Sequence, residues 1–259
     1  MRAQPSQYGQ PWTRDELVLA FDLYCRVPFK ATKASNPAVV ELAHILNRSP
    51  AGVARKLGNF GAFDPELRKR RIVGLTHGSK LDREVWDEFH HDWAKLIQRA
   101  ARLRAHFRAD LSIAPLPSNI DGPQGPSERV ASAKQRLHQF FFREAVLSSY
   151  ESSCCVTGLR VREVLIASHI VPWSEDERRR ADPTNGLCLS ATFDRLFDAG
   201  LLTIESDLTI RLSRQLQGQS ERAVATLVLP YHRQAIKRPV RFMPCEECLQ
   251  WHRQNVFRG

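Results

Sequence analysis

"LIASHIVPWSEDERRRADPTNGLCLSATFDRLFDAG", residues Leu165 to Gly200, decides how this chain is read. An apolar, β-branched run carries one imidazole, His169, near its end. A charge-rich loop follows, then Asn185-Gly186, then a second apolar run, "GLCLS". These runs have the length and composition of short strands. "ATFDRLFDAG" then reads as a helix, in which Asp194 and Asp198 are four residues apart and share a face. Polar groups set in an apolar frame require partners or a task.

The reading extends outward from that core. Downstream, "GLLTIES" and "LTIRLS", separated by Asp207, predict a hairpin. Upstream, "CCVTG" predicts another short strand. Before it, "SERVASAKQRLHQFFFREAVLSSY" predicts an amphipathic helix with Val130, Leu137, Phe141 and Val146 on its buried face. Residues 128–259 are therefore expected to form one domain. Residues 111–127, "LSIAPLPSNIDGPQGPS", are rich in Pro and Gly and read as a linker.

Residues 1–110 read as a basic helical module. Thr13 with Glu16 is a capping-box pattern, and Leu17, Ala20, Phe21 and Tyr24 fall on one helical face. Asn36-Pro37 and Ser49-Pro50 open two further helices, with apolar stripes Val39, Leu42, Ala43, Leu46 and Val53, Leu57, Phe60. The tight "NRSP" corner between them predicts a helix-turn-helix or Myb-like bundle. In that arrangement the third helix would present Arg55 and Lys56 to DNA. The run Arg68, Lys69, Arg70, Arg71 would add charge for phosphates, or would simply be solvated.

The 259 residues carry a formal net charge of +10, which points to a polyanionic partner. Residues 1–108 hold 19 Lys and Arg against 11 Asp and Glu, whereas the remainder is nearly balanced. The attraction therefore resides in the first segment. No apolar run approaches the roughly 20 residues needed to cross a bilayer. The first residues also lack the apolar core of a signal peptide. A cytoplasmic location is expected, with no membrane partner, and the six Cys are expected to be thiols or metal ligands.

The elements "CVTG" (155–158), "ASHIVPW" (167–173), "NGLCL" (185–189), "ATFDRLFDAG" (191–200) and "WHRQNVF" (251–257) closely resemble the HNH endonuclease family. The likeness is to a restriction-type branch, and it covers about 130–257. It implies an α+β protein: an N-terminal helical module followed by a C-terminal ββα-metal nuclease domain. It also implies hydrolysis of phosphodiester bonds in double-stranded DNA, in restriction or defence against foreign DNA. His169 would be the general base and Asn185 the residue that orients the loop. Asp194 stands where the family usually has its last His. With Asp198 beside it, the site would favour a hard cation, Mg²⁺ or Mn²⁺.

Ser168 stands where many members have a ligating Asp or His. Either water completes the shell, or Asp198 contributes, or the site is weak. The alternative class is a non-catalytic DNA-binding regulator on a decayed nuclease fold. Arg178, Arg179 and Arg180 in the loop would touch the DNA backbone, or would be solvated. "PCEEC" with Cys154, Cys155, Cys188 and His252 offers donors for a structural Zn²⁺, but a second C-x-x-C is missing, which weighs against zinc. The branch would be compatible with a homodimer cutting both strands, and with modified DNA as substrate. Neither is legible in the residues.

Overall fold

Capping chemistry sets the helix starts of the first half of the chain. In the computed structural model, which describes residues 9–72, 78–110 and 126–259, Thr13 and Glu16 close a capping box at the head of α1 (Arg14–Arg26). Asn36 caps α2 (Pro37–Ile45), and Ser49 caps α3 (Pro50–Gly61), each with Pro at the first helical position. Three more helices follow: α4 (Pro65–Lys69), α5 (Lys80–Phe89) and α6 (Trp93–Asp110). The chain divides into two compact units, Met1–Phe141 and Phe142–Gly259. The expected linker lies, up to residue 125, outside the described residues.

The first unit is helical where it is described. Its α1 is central, buried on more than the face that its sequence predicted. Val18, Leu19 and Leu23 are buried along with the predicted face, because α2, α3, α5 and α6 all pack on it. Glu16 does more than cap. Both its oxygens accept from Arg48 in the corner between α2 and α3 (2.7 and 2.8 Å), which ties that corner to the start of α1.

The second unit takes up the chain within α7 (Pro126–Ser149), at Phe142. Phe141 and Val146 of α7 are buried as predicted, but Leu137 is 42% exposed and leaves the expected stripe. "CCVTG" is a turn rather than a strand. The Cys154 sulfur accepts from the backbone N–H of Thr157 and of Ser190, so it serves as a turn cap and not a ladder residue.

The two strands of the quoted stretch form as read. Strand β1 (Leu165–His169) pairs antiparallel with β2 (Gly186–Ser190), in register Leu165↔Ser190 through His169↔Gly186. Helix α8 (Ala191–Asp198) leaves β2 directly. Strands β3 (Leu202–Ile204) and β4 (Ile210–Leu212) form the expected hairpin. Three helices complete the unit: α9 (Arg214–Gln217), α10 (Arg222–Leu227) and α11 (Glu246–Asn255). Its core holds Phe142, Val146, Leu165, Leu187, Leu189, Phe193 and Phe197. Gly186 is needed for space: a Cβ there would overlap Val146 and Phe142 of α7.

Candidate active site

His169 ends β1, where the strand gives way to the loop. Its ring stacks on Phe142 (centroids 3.7 Å apart, 8° between planes) and meets Trp173 edge-on at 5.7 Å. Its Nε2 lies 3.1 Å from the backbone oxygen of Arg180. A carbonyl can only accept, so Nε2 carries the proton and Nδ1 is the basic atom. Among the described residues Nδ1 has no hydrogen-bond partner. Burial pushes the pKa of His169 below its usual value, and the bond to Arg180 works weakly the other way. The ring is therefore neutral at pH 7, the state in which an imidazole can take up a proton.

Asn185 holds the loop that carries that carbonyl. Its side chain is 1% exposed. Oδ1 accepts from the N–H of Val171 (2.8 Å), and Nδ2 donates to the carbonyls of Val171 (3.0 Å) and Arg179 (3.4 Å). Its own carbonyl accepts from the N–H of Ile170 at 2.9 Å. One amide thus joins Val171, just past the end of β1, to the Arg179 carbonyl across the loop, next to the Arg180 carbonyl that His169 meets.

Ser168 points the other way from His169, as successive strand residues do, and reaches α8. Its hydroxyl is sealed from solvent and closes no geometrically sound hydrogen bond, yet it lies close enough to Asp194 to draw that carboxyl's pKa down. The larger influence on Asp194 is partial burial, which raises it. Asp198, at the exposed rim, is raised by burial and then by the charge of Asp194, with Arg195 opposing. Two crowded carboxylates and an orphaned hydroxyl form an all-oxygen set whose repulsion and desolvation a divalent cation would relieve. In chemistry that set fits a hard divalent cation, one held through one or two carboxylates with water completing the shell. Among the described residues no three or more His, Cys, Asp and Glu side chains cluster to hold a metal.

The other predicted contacts are placed differently. Arg55 is exposed on α3, but Lys56 is turned inward. Its ammonium pairs with both oxygens of the fully buried Asp82 (3.0 and 3.1 Å), so it joins α3 to α5 rather than facing a ligand. Arg178 projects into solvent with its side chain 93% exposed. Arg179 donates to the sulfurs of Cys245 and Cys248 and to Glu247. Arg180 lies over Trp173, donates to the Trp173 carbonyl and pairs with Glu177. His252 is buried between Thr203 and the Phe197 carbonyl. Sequence reasoning did not identify Phe142, the Arg180 carbonyl or the thiol pair as neighbours of the site. Each acts across a long separation in the chain, and none carries a local signal.

No described helix is long and apolar enough to cross a membrane. No curated protein matches the chain. Residues 154–205 match the model of a family described as HNH endonuclease, a span that contains β1, the loop, β2, α8 and β3. A neutral imidazole pinned at a strand end and a carboxylate pair on the following helix thus both lie in the segment that matches the HNH endonuclease model.

Proposed function

We propose that the protein is a divalent-cation-dependent endonuclease that cuts double-stranded DNA, with His169 as the general base. The observation that carries this reading is the bond from His169 Nε2 to the Arg180 carbonyl, which leaves Nδ1 of a neutral ring free to accept a proton. In the attack, Nδ1 takes the proton from water as its oxygen meets phosphorus. Asn185 keeps the loop, and hence the ring, in place. Asp194 and Asp198, with Ser168 beside them, would hold the cation, which when bound stabilises charge on the phosphate and on the leaving 3′ oxygen. Arg55 and Arg178, exposed as they are, would contact phosphates. The helical first unit, with α2 and α3 as a helix-turn-helix pair, would bring the polyanion to the site. Restriction of foreign DNA is the biological setting this chemistry suits.

The regulator reading is favoured by one feature, a Ser168 hydroxyl where a charged ligand would bind a cation more strongly. Cleavage of plasmid and phage DNA, modified and unmodified, with Mg²⁺, Mn²⁺ or EDTA separates the two. Metal-dependent cutting that His169→Ala abolishes supports the nuclease. Binding without cutting on every substrate supports the regulator. In a pH series the acid limb of kcat/KM should lie below 6.5, because a lowered folded pKa keeps the base neutral down to that range.

A further inference from the structure

The C-x-x-C pair at the head of α11 and Arg179 form a connected group that ends at the proposed base. Arg179 Nη1 donates to Cys248 Sγ at 2.7 Å and to Cys245 Sγ at 3.3 Å, and Nη2 donates to Glu247 at 3.0 Å. The Cys245 N–H also donates to the Thr184 carbonyl at 2.9 Å, beside Asn185. At its backbone, Arg179 offers its carbonyl to Asn185 Nδ2, and the next carbonyl, that of Arg180, receives His169 Nε2–H. The loop tip, which has no strand or long helix to hold it, is thus anchored through one guanidinium.

We propose that Arg179, clamped by Cys245, Cys248 and Glu247, is a positioning residue that fixes the Arg180 carbonyl and through it the orientation of His169. The proposal rests on the nuclease reading for its consequence, but its geometry can be tested without activity.

The side-chain chemistry suits this task. A free arginine side chain on a loop samples many rotamers, and ordering it costs conformational entropy. Three acceptors remove that freedom, and a guanidinium presents its donors to two sulfurs and a carboxylate in a fixed planar fork that a lysine ammonium lacks. Burial pushes the Cys248 thiol up to about 12, which keeps it neutral, and Cys245 S–H points to Glu247. Asp176 adds a second carboxylate, 3.4 Å from Arg179 Nε. Arg179 therefore has its donors engaged within the protein, which sets it apart from the exposed Arg178.

The test compares Arg179→Ala, Arg179→Lys, Cys245→Ala/Cys248→Ala and Cys245→Ser/Cys248→Ser in the full chain. The first readout is the His169 Nε2–H proton by NMR, which its bond to Arg180 protects from exchange with water. The His252 Nε2–H, bonded to the Phe197 carbonyl, reports in the same spectrum that the unit is folded. The second readout is DNA cleavage. Arg179→Ala, Arg179→Lys and the double Ala variant should lose the His169 signal and keep that of His252. Their kcat should fall on the order of 10- to 100-fold with little change in KM, the scale expected for a misplaced catalytic group. The double Ser variant, which keeps two acceptors, should restore both readouts to within about twofold of wild type. A His169 signal and kcat that persist in Arg179→Ala overturn the proposal. So does loss of both histidine signals, which would make Arg179 a folding residue. If the wild type cuts no DNA, the nuclease reading fails while the NMR comparison still decides the clamp.

Discussion

His169 and His252 are built alike and placed differently. Each ring stacks on a phenylalanine with centroids 3.7 Å apart and 8° between planes, Phe142 for one and Phe197 for the other. Each donates Nε2–H to a backbone carbonyl at 3.1 Å. The second nitrogen separates them. Nδ1 of His252 meets the Thr203 hydroxyl at 2.9 Å inside the core, so all of its hydrogen-bonding capacity is used. Nδ1 of His169 has no such partner among the described residues. The same stacked, tautomer-fixed imidazole is therefore a brace in one place and, on the proposed reading, a base in the other. One hydroxyl on β3 makes the difference.

The largest expected effect breaks the pair apart. His169→Ala should lower the cleavage rate by about 10²- to 10⁴-fold, the range for loss of a general base, with a smaller loss of stability than His252→Ala. His252→Ala should do the reverse. Urea melts should show a loss on the order of 3 kcal/mol, from a cavity and two unsatisfied groups, with cleavage retained by the folded fraction. A His252 variant that melts like wild type and cuts no DNA would invert the assignment.

The next effect is on pH dependence. Burial lowers His252 to about 4, against an ordinary value of 6.5, with the bond to the Phe197 carbonyl opposing and the charge of Arg253 assisting. Between those values the unfolded chain binds the proton and the folded one does not, so stability rises with pH across the window. Acidification from 6.5 to 4 should remove about 3 kcal/mol through this residue. His169, also lowered, adds to the loss in the same direction. Urea melts at intervals across that window measure the slope, and His252→Gln should flatten it. A wild-type slope near zero would count against the depressed value.

Smaller effects sharpen the comparison. Gly186→Ala should cost about 1–3 kcal/mol, since its Cβ would press on Val146 and on Phe142, the ring that supports His169. Cleavage should fall more than stability if Phe142 shifts. Thr203→Val frees Nδ1 of His252 and makes it resemble His169. The expected loss is about 1 kcal/mol, the usual net value of one hydrogen bond. An unchanged melting profile in Thr203→Val would mean that the hydroxyl contributes nothing to the brace.

Much of the second unit was legible in the residues because its signals are local. Short apolar runs marked β1, β2 and the β3–β4 hairpin, and "ATFDRLFDAG" marked α8. Caps written as Thr13/Glu16, Asn36-Pro37 and Ser49-Pro50 gave the first three helices. "CCVTG" misled, since its apolar letters belong to a turn that folds a thiol over backbone N–H groups. The fate of individual cations was not legible either. Lys56 looked like a surface charge until Asp82, 26 residues on, was brought beneath it. Arg179 meets its sulfurs 66 and 69 residues away.

By itself, then, the sequence determined which residue types could do chemistry and which segments become strands and helices, because periodicity, capping and turn preference act within a few residues. Tertiary structure alone decided what each polar group does. Whether an imidazole is basic at Nδ1 depends on the carbonyl and the hydroxyl that the fold sets against it. Whether a cation faces solvent depends on a carboxylate delivered from elsewhere in the chain. Those partners are fixed by packing, and packing is a property of the whole folded unit.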